Sequence, residues 1–288
     1  MNQITGEAMD NYRKHLAEEE YAEGTIQKYL RDIRAFRDWL SDISIKESGE
    51  TADISRETVA GWKSSLVKQG YAPVTINAML SSLNGFFGFL GWEECKVRFL
   101  KIQRRTFCDR DRELSRAEYE RLLKAAGQQG NRRLELLLET ICGTGIRVSE
   151  VKYITVEALE RKRADIALKG KIRTILLPGK LCKKLRDYAR KKGIRSGEIF
   201  VTGNGKSMSR RQIWGEMKKL CEKAKVNASK VFPHNLRHLF ARSFYRVSRD
   251  IVKLADILGH SSIETTRIYL ITSGESHARQ LERLGLVS

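Results

Sequence analysis

The chain has 288 residues, of which 41% are hydrophobic and 31% are charged, and its formal net charge is +19. Composition of this kind is typical of a globular protein with a real core, and the length favours two domains. So large a positive charge favours a polyanionic partner, most simply nucleic acid. A lysine-rich surface that is merely solvated is the alternative explanation.

The excess charge lies in the C-terminal part of the chain. Residues 1–105 contain 15 basic and 15 acidic residues, whereas residues 106–288 contain 39 basic and 20 acidic ones. The C-terminal part is therefore predicted to make most of the phosphate contacts. Binding that depends on these contacts should weaken steeply with salt, because it releases counterions.

Neither a disulfide framework nor a membrane anchor is indicated. The five cysteines are dispersed and none stands in a Cys-x-x-Cys pair, a pattern typical of reduced thiols. No apolar run is long enough to span a membrane, and the first residues lack the apolar segment of a secretory signal. The sequence therefore predicts a cytoplasmic protein.

The first hundred residues are predicted to form a bundle of four or five helices. Apolar residues at helical spacing predict helices over residues 26–40, 55–69 and 73–90. Four basic residues occupy the polar face of the first of these helices: Lys28, Arg31, Arg34 and Arg37. We predict that they contact a nucleic-acid backbone, and a solvated helix face is the equal alternative.

A linker and a second domain are predicted to follow. Residues 101–113 are highly charged and without a clear period, and Ser115 with Glu118 forms a capping-box pattern at the start of the second domain. A hairpin is predicted from two strand-like segments around Gly170. Helices are predicted over residues 132–142, 181–192, 209–224, 233–247, 250–258 and 262–270. The predicted fold is mainly α with a small β-hairpin, so the second domain is α+β.

Three motifs in the second domain carry reactive side chains: TGIRVSE at residues 144–150, PHNLRH at 233–238 and LGHSSIETTRIY at 258–269. They contain Arg147, His234, Arg237, His260 and Tyr269. Arginines bind phosphate oxygens as planar forks, histidines move protons, and a tyrosine hydroxyl can be a covalent nucleophile. Together these groups suffice to hold and attack a phosphodiester without a metal.

Taken alone, each residue has an ordinary structural explanation. A lone tyrosine is most often a core residue, and a His-x-x-Arg pattern is most often a polar helix face, opposite an apolar face that here extends to Val247. His234 and His238 have the spacing of two zinc ligands on a helix. However, Asn235 stands where a zinc protease has its glutamate, and no third ligand is apparent, so neither a metal nor a cofactor is predicted.

With the three motifs in this order, the chain resembles the tyrosine recombinase (phage integrase) family, most closely its Xer-type branch and the short integrases of mobile elements. The resemblance covers nearly the whole chain. It implies a helical, SAM-like core-binding domain over residues 1–100 and a catalytic domain over residues 114–288, the two forming a clamp around DNA. It implies that Glu150 is a supporting residue and that five residues are catalytic: Arg147, His234, Arg237, His260 and Tyr269. It also implies a catalytic lysine at the hairpin turn, where Lys171 matches best and Lys169 is the alternative.

The resemblance further implies a function. A site-specific recombinase would cleave and rejoin double-stranded DNA through a 3′-phosphotyrosine, for integration, excision or dimer resolution. Four protomers would act on two DNA sites, in the nucleoid of a bacterium, and the tail after Tyr269 would dock on a neighbouring subunit or fold back on its own domain. A type IB topoisomerase-like enzyme and a non-catalytic DNA-binding protein on the same scaffold are the alternatives.

Overall fold

The computed structural model of the chain describes residues 2–47, 53–102, 112–168, 171–269 and 282–283. The chain divides into two compact units, Met1–Arg104 and Arg105–Ser288. Helices predominate in both, and a two-stranded antiparallel sheet is the one sheet within the described ranges. The predicted class, mainly α with a small hairpin, is confirmed. None of the described helices is both long and apolar enough to cross a lipid bilayer.

The first unit packs four α-helices around an aromatic core. Its described residues form α1 (Gly6–Glu18), α2 (Glu23–Glu47), α3 (Arg56–Lys68), α4 (Pro73–Leu90) and a 3₁₀ turn over Glu93–Cys95. Phe36, Trp62 and Phe87 are fully buried between them, and Phe36 lies 5.1 Å from Trp62 between ring centroids. The predicted bundle is confirmed with four helices.

Local signals set most of the helix boundaries in this unit. Ser55 caps α3 by accepting a hydrogen bond from the Thr58 backbone N–H at 3.2 Å, and Pro73 begins α4 as predicted. The predicted start of the preceding helix at residue 26 was wrong, because α2 begins at Glu23. Thr25 lies in the first turn of α2, where its N–H donates to the carbonyl of Ala22 at 2.7 Å.

The second unit is built from eight α-helices and the hairpin, counted over its described residues. The helices are α5 (Arg116–Gln128), α6 (Arg132–Thr144), α7 (Val156–Arg161), α8 (Gly179–Lys191), α9 (Arg210–Ala224), α10 (Pro233–Ser248), α11 (Ile251–Leu258) and α12 (Ile263–Arg267). A 3₁₀ helix over Val148–Tyr153 and a 3₁₀ turn over Ala228–Lys230 complete it. The capping box of Ser115 and Glu118 at the start of α5 is confirmed.

The hairpin pairs β1 (Arg163–Leu168) with β2 (Lys171–Leu176) in antiparallel register. The pairs run from Arg163 opposite Leu176 to Leu168 opposite Lys171, so Lys171 opens the second strand at the turn. The two turn residues themselves lie outside the described residues. Ile166 and Ile175 join the main core, which anchors the hairpin to the helices.

Two predictions near the C-terminal end need correction. Val247 was expected on the apolar face of α10, but its side chain is 87% exposed because α10 has left the core by its last turn. A helix was expected over residues 262–270, whereas α12 ends at Arg267. The tail beyond Tyr269, which was expected to dock on a neighbouring subunit or fold back, lies outside the described residues except for positions 282 and 283.

Candidate active site

Arg237 joins three segments of the second unit. Its side chain is buried in α10, and its Nη1 donates to the carbonyl of Gly145, just beyond the end of α6. Its Nη2 donates to the carbonyl of Leu258 at 2.6 Å and lies 3.0 Å from Nε2 of His260. Desolvation by burial is the main cause that lowers the pKa of Arg237, followed by the charge of Arg147. These hydrogen bonds hold the buried guanidinium of Arg237 at the point where the three motifs meet.

Arg147 is placed by a chain reversal after α6. The helix ends at Gly145 in the left-handed region (φ 65°), and a Cβ there would lie 2.4 Å from Cδ1 of Phe240, so only glycine fits. Arg147 donates from its backbone N–H and from Nη1 to the two carboxylate oxygens of Glu150, at 2.8 and 2.9 Å. Its Nη2 donates to the Gly259 carbonyl at 3.2 Å, while 41% of the side chain stays exposed. Arg147 is therefore oriented by Glu150 yet open to a ligand.

His260 follows Gly259, which ends α11 in the left-handed conformation (φ 62°). Its Nε2 faces Arg237, which can only donate, so that nitrogen accepts and the ring proton lies on Nδ1, 2.9 Å from Oγ1 of Thr266. Burial and the charges of Arg237 and Arg147 lower the pKa of His260 to about 4. The imidazole is thus neutral at pH 7.

Tyr269 is only 3% exposed, and histidines surround its ring. Its centroid lies 4.2 Å from that of His238, 5.6 Å from that of His260 and 5.7 Å from that of His234. The His260 and Tyr269 rings are nearly parallel, with an interplanar angle of 13°. Interaction with the Tyr269 side chain, through charge and a hydrogen bond, favours the charged form of Arg237. The phenol thus sits beside the buried guanidinium.

The two histidines of α10 are one helical turn apart, with ring centroids 4.8 Å apart. Burial, with the charges of Arg237 and Arg147, lowers the pKa of His234. Burial and the neighbouring His234 lower the pKa of His238 to about 3. Both rings are therefore neutral at pH 7, and His234 can accept a proton. Over the described part of the chain, no cluster of three or more His, Cys, Asp or Glu side chains could hold a metal ion.

A cleft of about 450 Å³ opens onto these residues. Arg147, His234, Arg237 and Tyr269 all contribute to its lining. The lining also includes Arg210 and Trp214 of α9, which no sequence motif indicated. The available signal was their spacing of four residues on one helix face, with an exposed tryptophan among charged residues. Three arginines, Arg147, Arg210 and Arg237, make the lining of the cleft cationic.

Arg173 is a second residue that the sequence analysis missed. It lies in β2, and its Nη2 donates to Glu150 at 2.7 Å while its Nη1 donates to the Leu258 carbonyl. Burial is the main cause that lowers the pKa of Arg173 to about 10. The available signal was one arginine within the apolar run of residues 172–177. Glu150 consequently holds two arginines, Arg147 and Arg173.

The lysine assignment stays a prediction. Lys171 is the first residue of β2, and its backbone pairs with Leu168. Lys169 lies outside the described residues. The structure thus places the backbone of one candidate two positions from Arg173 in the same strand.

The four basic residues predicted on the first unit differ in their surroundings. Lys28 donates to the buried carboxylate of Asp32 at 2.7 Å and to the carbonyl of Ala78 in α4 at 3.2 Å. Arg31 pairs with the other oxygen of Asp32 at 3.1 Å, and Arg37 pairs with Asp38 at 3.3 Å. Arg34 is exposed on α2. The predicted stripe therefore contains one lysine that connects two helices and three arginines nearer to solvent.

Comparisons with known proteins agree with this architecture. Residues 112–275 match the phage integrase family, and residues 9–94 match the N-terminal SAM-like domain of phage integrases. A protein of Thermococcus kodakarensis named tyrosine recombinase XerA is 26% identical, over 98% of this chain and 96% of that protein. Tyrosine recombinase XerA of Pyrococcus furiosus is 30% identical, over 76% and 77%.

A solved structure has the same fold. The XerH site-specific recombinase bound to difH substrate, in a pre-cleavage complex, superposes with a TM-score of 0.71 at 19% identity, over 99% of this chain and 85% of that one. Since the family match alone covers more than half of the residues, the chain belongs to the phage integrase family of tyrosine recombinases, the enzymes of site-specific DNA recombination.

Proposed function

We propose that this chain recombines double-stranded DNA by using Tyr269 as its nucleophile. The observation that carries the proposal is the position of the Tyr269 ring, among three histidines and beside Arg237, at a cationic cleft. A phenol in such surroundings has a route for its proton and a cation to hold the phosphate that it attacks.

In the proposed first step, Oη of Tyr269 forms a bond to the phosphorus and the bond from phosphorus to the 5′-oxygen breaks. The products are a 3′-phosphotyrosine and a free 5′-hydroxyl. His234 takes the phenolic proton, and Lys171, or alternatively Lys169, protonates the leaving oxygen. Because one phosphoester replaces another, neither a nucleotide nor an outside energy source is needed. A 5′-hydroxyl from the partner strand then reverses the step.

Arg147 and Arg237 would hold the non-bridging oxygens and stabilise the charge that builds up on them. Arg237 donates to two carbonyls and to His260, so a bound phosphate would take over part of this hydrogen bonding. His260 would then donate from Nε2 to the phosphate. Thr266 permits this change of tautomer, because its hydroxyl can accept from Nδ1 or donate to it.

A complete exchange cuts four strands, and each protomer offers one Tyr269. We therefore propose four protomers on two DNA sites, with the tail after Tyr269 as the connection between neighbours. Mass measurement of the trapped protein–DNA complex tests this stoichiometry. A saturated complex with only two protomers on two sites would contradict it.

The nucleophile is tested with the full chain and Tyr269→Phe. DNA that becomes covalently linked in cells is recovered after denaturation and sequenced, which identifies the target. Duplexes of that sequence, nicked next to the cleavage position, then trap the adduct for denaturing electrophoresis. We expect an adduct with the wild type and none with Tyr269→Phe, at equal DNA affinity.

Tyr245→Phe is the matched control, because Tyr245 packs against the same small cluster as Tyr269 but does not line the cleft. It should form the adduct normally. If Tyr269→Phe still formed the adduct, Tyr269 would not be the nucleophile.

A further inference from the structure

Arg173 contacts the supports of both phosphate-holding arginines without lining the cleft. Its Nη2 reaches Glu150, the buried carboxylate that also orients Arg147 through two hydrogen bonds. Its Nη1 reaches the Leu258 carbonyl, which also accepts from Arg237. Because a planar guanidinium donates in fixed directions, these contacts define the position of Arg173 relative to both arginines.

The turn that carries His260 is fitted to the same side chain. A Cβ on Gly259 would lie 2.5 Å from Cδ of Arg173 and 2.6 Å from its Nη1. The backbone of Gly259 therefore packs directly against the arginine. The side chain of Arg173 thus extends from the hairpin to the two loops that bear Arg147 and His260, and only 15% of it is exposed.

We infer that Arg173 is a positioning residue that holds strand β2, and with it the hairpin of the proton-donating lysine, in register with Arg147, Arg237 and His260. Arg173 acts at a distance from the DNA, through the strand. The inference rests on the proposed function, in which a hairpin lysine protonates the leaving 5′-oxygen. A role in fold stability alone is the rival explanation, since removing one partner of a largely buried ion pair destabilises a protein.

The choice of leaving group separates the two explanations. A 5′-bridging phosphorothioate leaves as a thiolate, which needs no proton, so it bypasses the acid step only. If Arg173 positions the acid, Arg173→Gln should cleave the normal substrate about 10²-fold more slowly, the usual penalty for a misplacement near 1 Å. With the sulfur substrate, most of that loss should disappear.

The experiment uses the full chain and the nicked duplex in both forms. Arg173→Lys keeps the cation near Glu150 but cannot donate to Glu150 and Leu258 as a fork, so it should show a smaller loss that sulfur also relieves. This variant also serves if Arg173→Gln does not fold. Arg163→Gln is the matched control, because Arg163 lies in the same hairpin, is exposed and pairs with Asp165. It should cleave both substrates like the wild type.

The cleavage rates on the two substrates decide whether Arg173 positions the proton donor. Equal slowing of Arg173→Gln on both substrates, or no slowing on the normal one, overturns the positioning role. Lys171→Ala and Lys169→Ala are measured in parallel. If sulfur restores a lysine variant but not Arg173→Gln, the inference fails and the proposed mechanism stands. If sulfur restores Arg173→Gln but neither lysine variant, Arg173 still positions a proton donor and the lysine assignment fails.

Discussion

At the scale of single residues, burial separates the two arginines of the site. Arg147 is half-exposed and bound mainly by one carboxylate, whereas Arg237 is buried and satisfies the carbonyls of Gly145 and Leu258. Both can hold a phosphate, but Arg237 makes its bonds to two other segments from a buried position, whereas Arg147 makes one such bond, to Gly259, from a half-exposed side chain. The Arg237 side chain thus has a structural task beside the catalytic one proposed for it.

The difference in burial predicts that variants of the two arginines lose activity alike but differ in stability. Arg147→Ala and Arg237→Ala should each lower the cleavage rate by about 10²-fold or more, the scale for losing one contact to a developing negative charge. Arg237→Ala should also lose about 1–3 kcal/mol of stability per carbonyl left unsatisfied. Suicide-substrate kinetics and thermal melts measure the two effects. Equal melting temperatures for both variants would contradict the structural task of Arg237.

The neutral histidines predict how stability depends on pH. The pKa of His238 is lowered to about 3 and that of His260 to about 4, below the ordinary value of 6.5 that applies to the unfolded chain. Between these values the unfolded chain binds protons that the folded chain does not. Stability is therefore complete above about pH 6.5 and declines as the pH falls towards 4 and then 3.

Thermal melts from pH 7 to pH 4 test this expectation. His238→Phe keeps an aromatic ring against Tyr269 but cannot titrate, so its melting temperature should decline less than that of the wild type. Carboxylates titrate in both proteins, and the comparison cancels their contribution. An identical decline in the two proteins would show that His238 is not the group responsible.

At the scale of elements, two glycines that follow helices have different neighbours. Gly259 and Gly193 both have left-handed backbones, with φ of 62° and 68°. A Cβ on Gly193 would meet nothing within 4 Å, whereas one on Gly259 would collide with Arg173. The hairpin and the α11–α12 turn are therefore packed too closely for any other residue.

Substituting alanine for these two glycines should therefore destabilise the protein to different extents. Gly193→Ala should lose about 1–2 kcal/mol of stability, the energy of a left-handed backbone in a residue with a Cβ. Gly259→Ala should lose about 1–3 kcal/mol more, the usual range for overpacking, and should also slow cleavage. Chemical denaturation and adduct kinetics measure both effects. Equal stability of the two variants would contradict the close contact between Arg173 and Gly259.

At the scale of the whole molecule, the positive charge and the family membership point to the same substrate. The net charge of +19 comes from residues 106–288, the part that contains the reactive residues. Residues 1–105 are formally neutral, so any contribution of the first unit to DNA binding must come from a local group such as the exposed Arg34. Lys28, by contrast, pairs with Asp32 within α2 and connects α2 to α4 through the carbonyl of Ala78.

The contrast predicts opposite effects for two basic residues. Arg34→Ala should weaken DNA binding uniformly across sequences and reduce the slope of log affinity against log salt by about 1, without changing stability. Lys28→Ala should lower stability by about 1.5–3 kcal/mol, the scale for a hydrogen bond to a charged group. Binding titrations from 50 to 200 mM salt and thermal melts measure the two. An unchanged salt slope in Arg34→Ala would remove α2 from the DNA interface.

Local patterns were sufficient for much of the fold. The helix from Pro73 to Leu90 was predicted with its ends, because a proline suited to a first turn and a run of apolar residues at helical spacing are both visible in the sequence. The start of α2 and the exposure of Val247 were missed, since a helix boundary and a helix end depend on what packs against them. The three motifs were found because their residue types are unusual together.

Contacts across the chain were beyond any such pattern. Motif order named Arg147, Arg237, His260 and Tyr269, but nothing local showed that Arg237 would be buried or that His238 would lie against Tyr269. Arg173 escaped notice because it meets Leu258 across 85 positions of sequence. Short-range order follows from backbone geometry and the alternation of apolar residues. The environment of a charged group follows instead from which distant segments close around it, and that is a property of the folded chain.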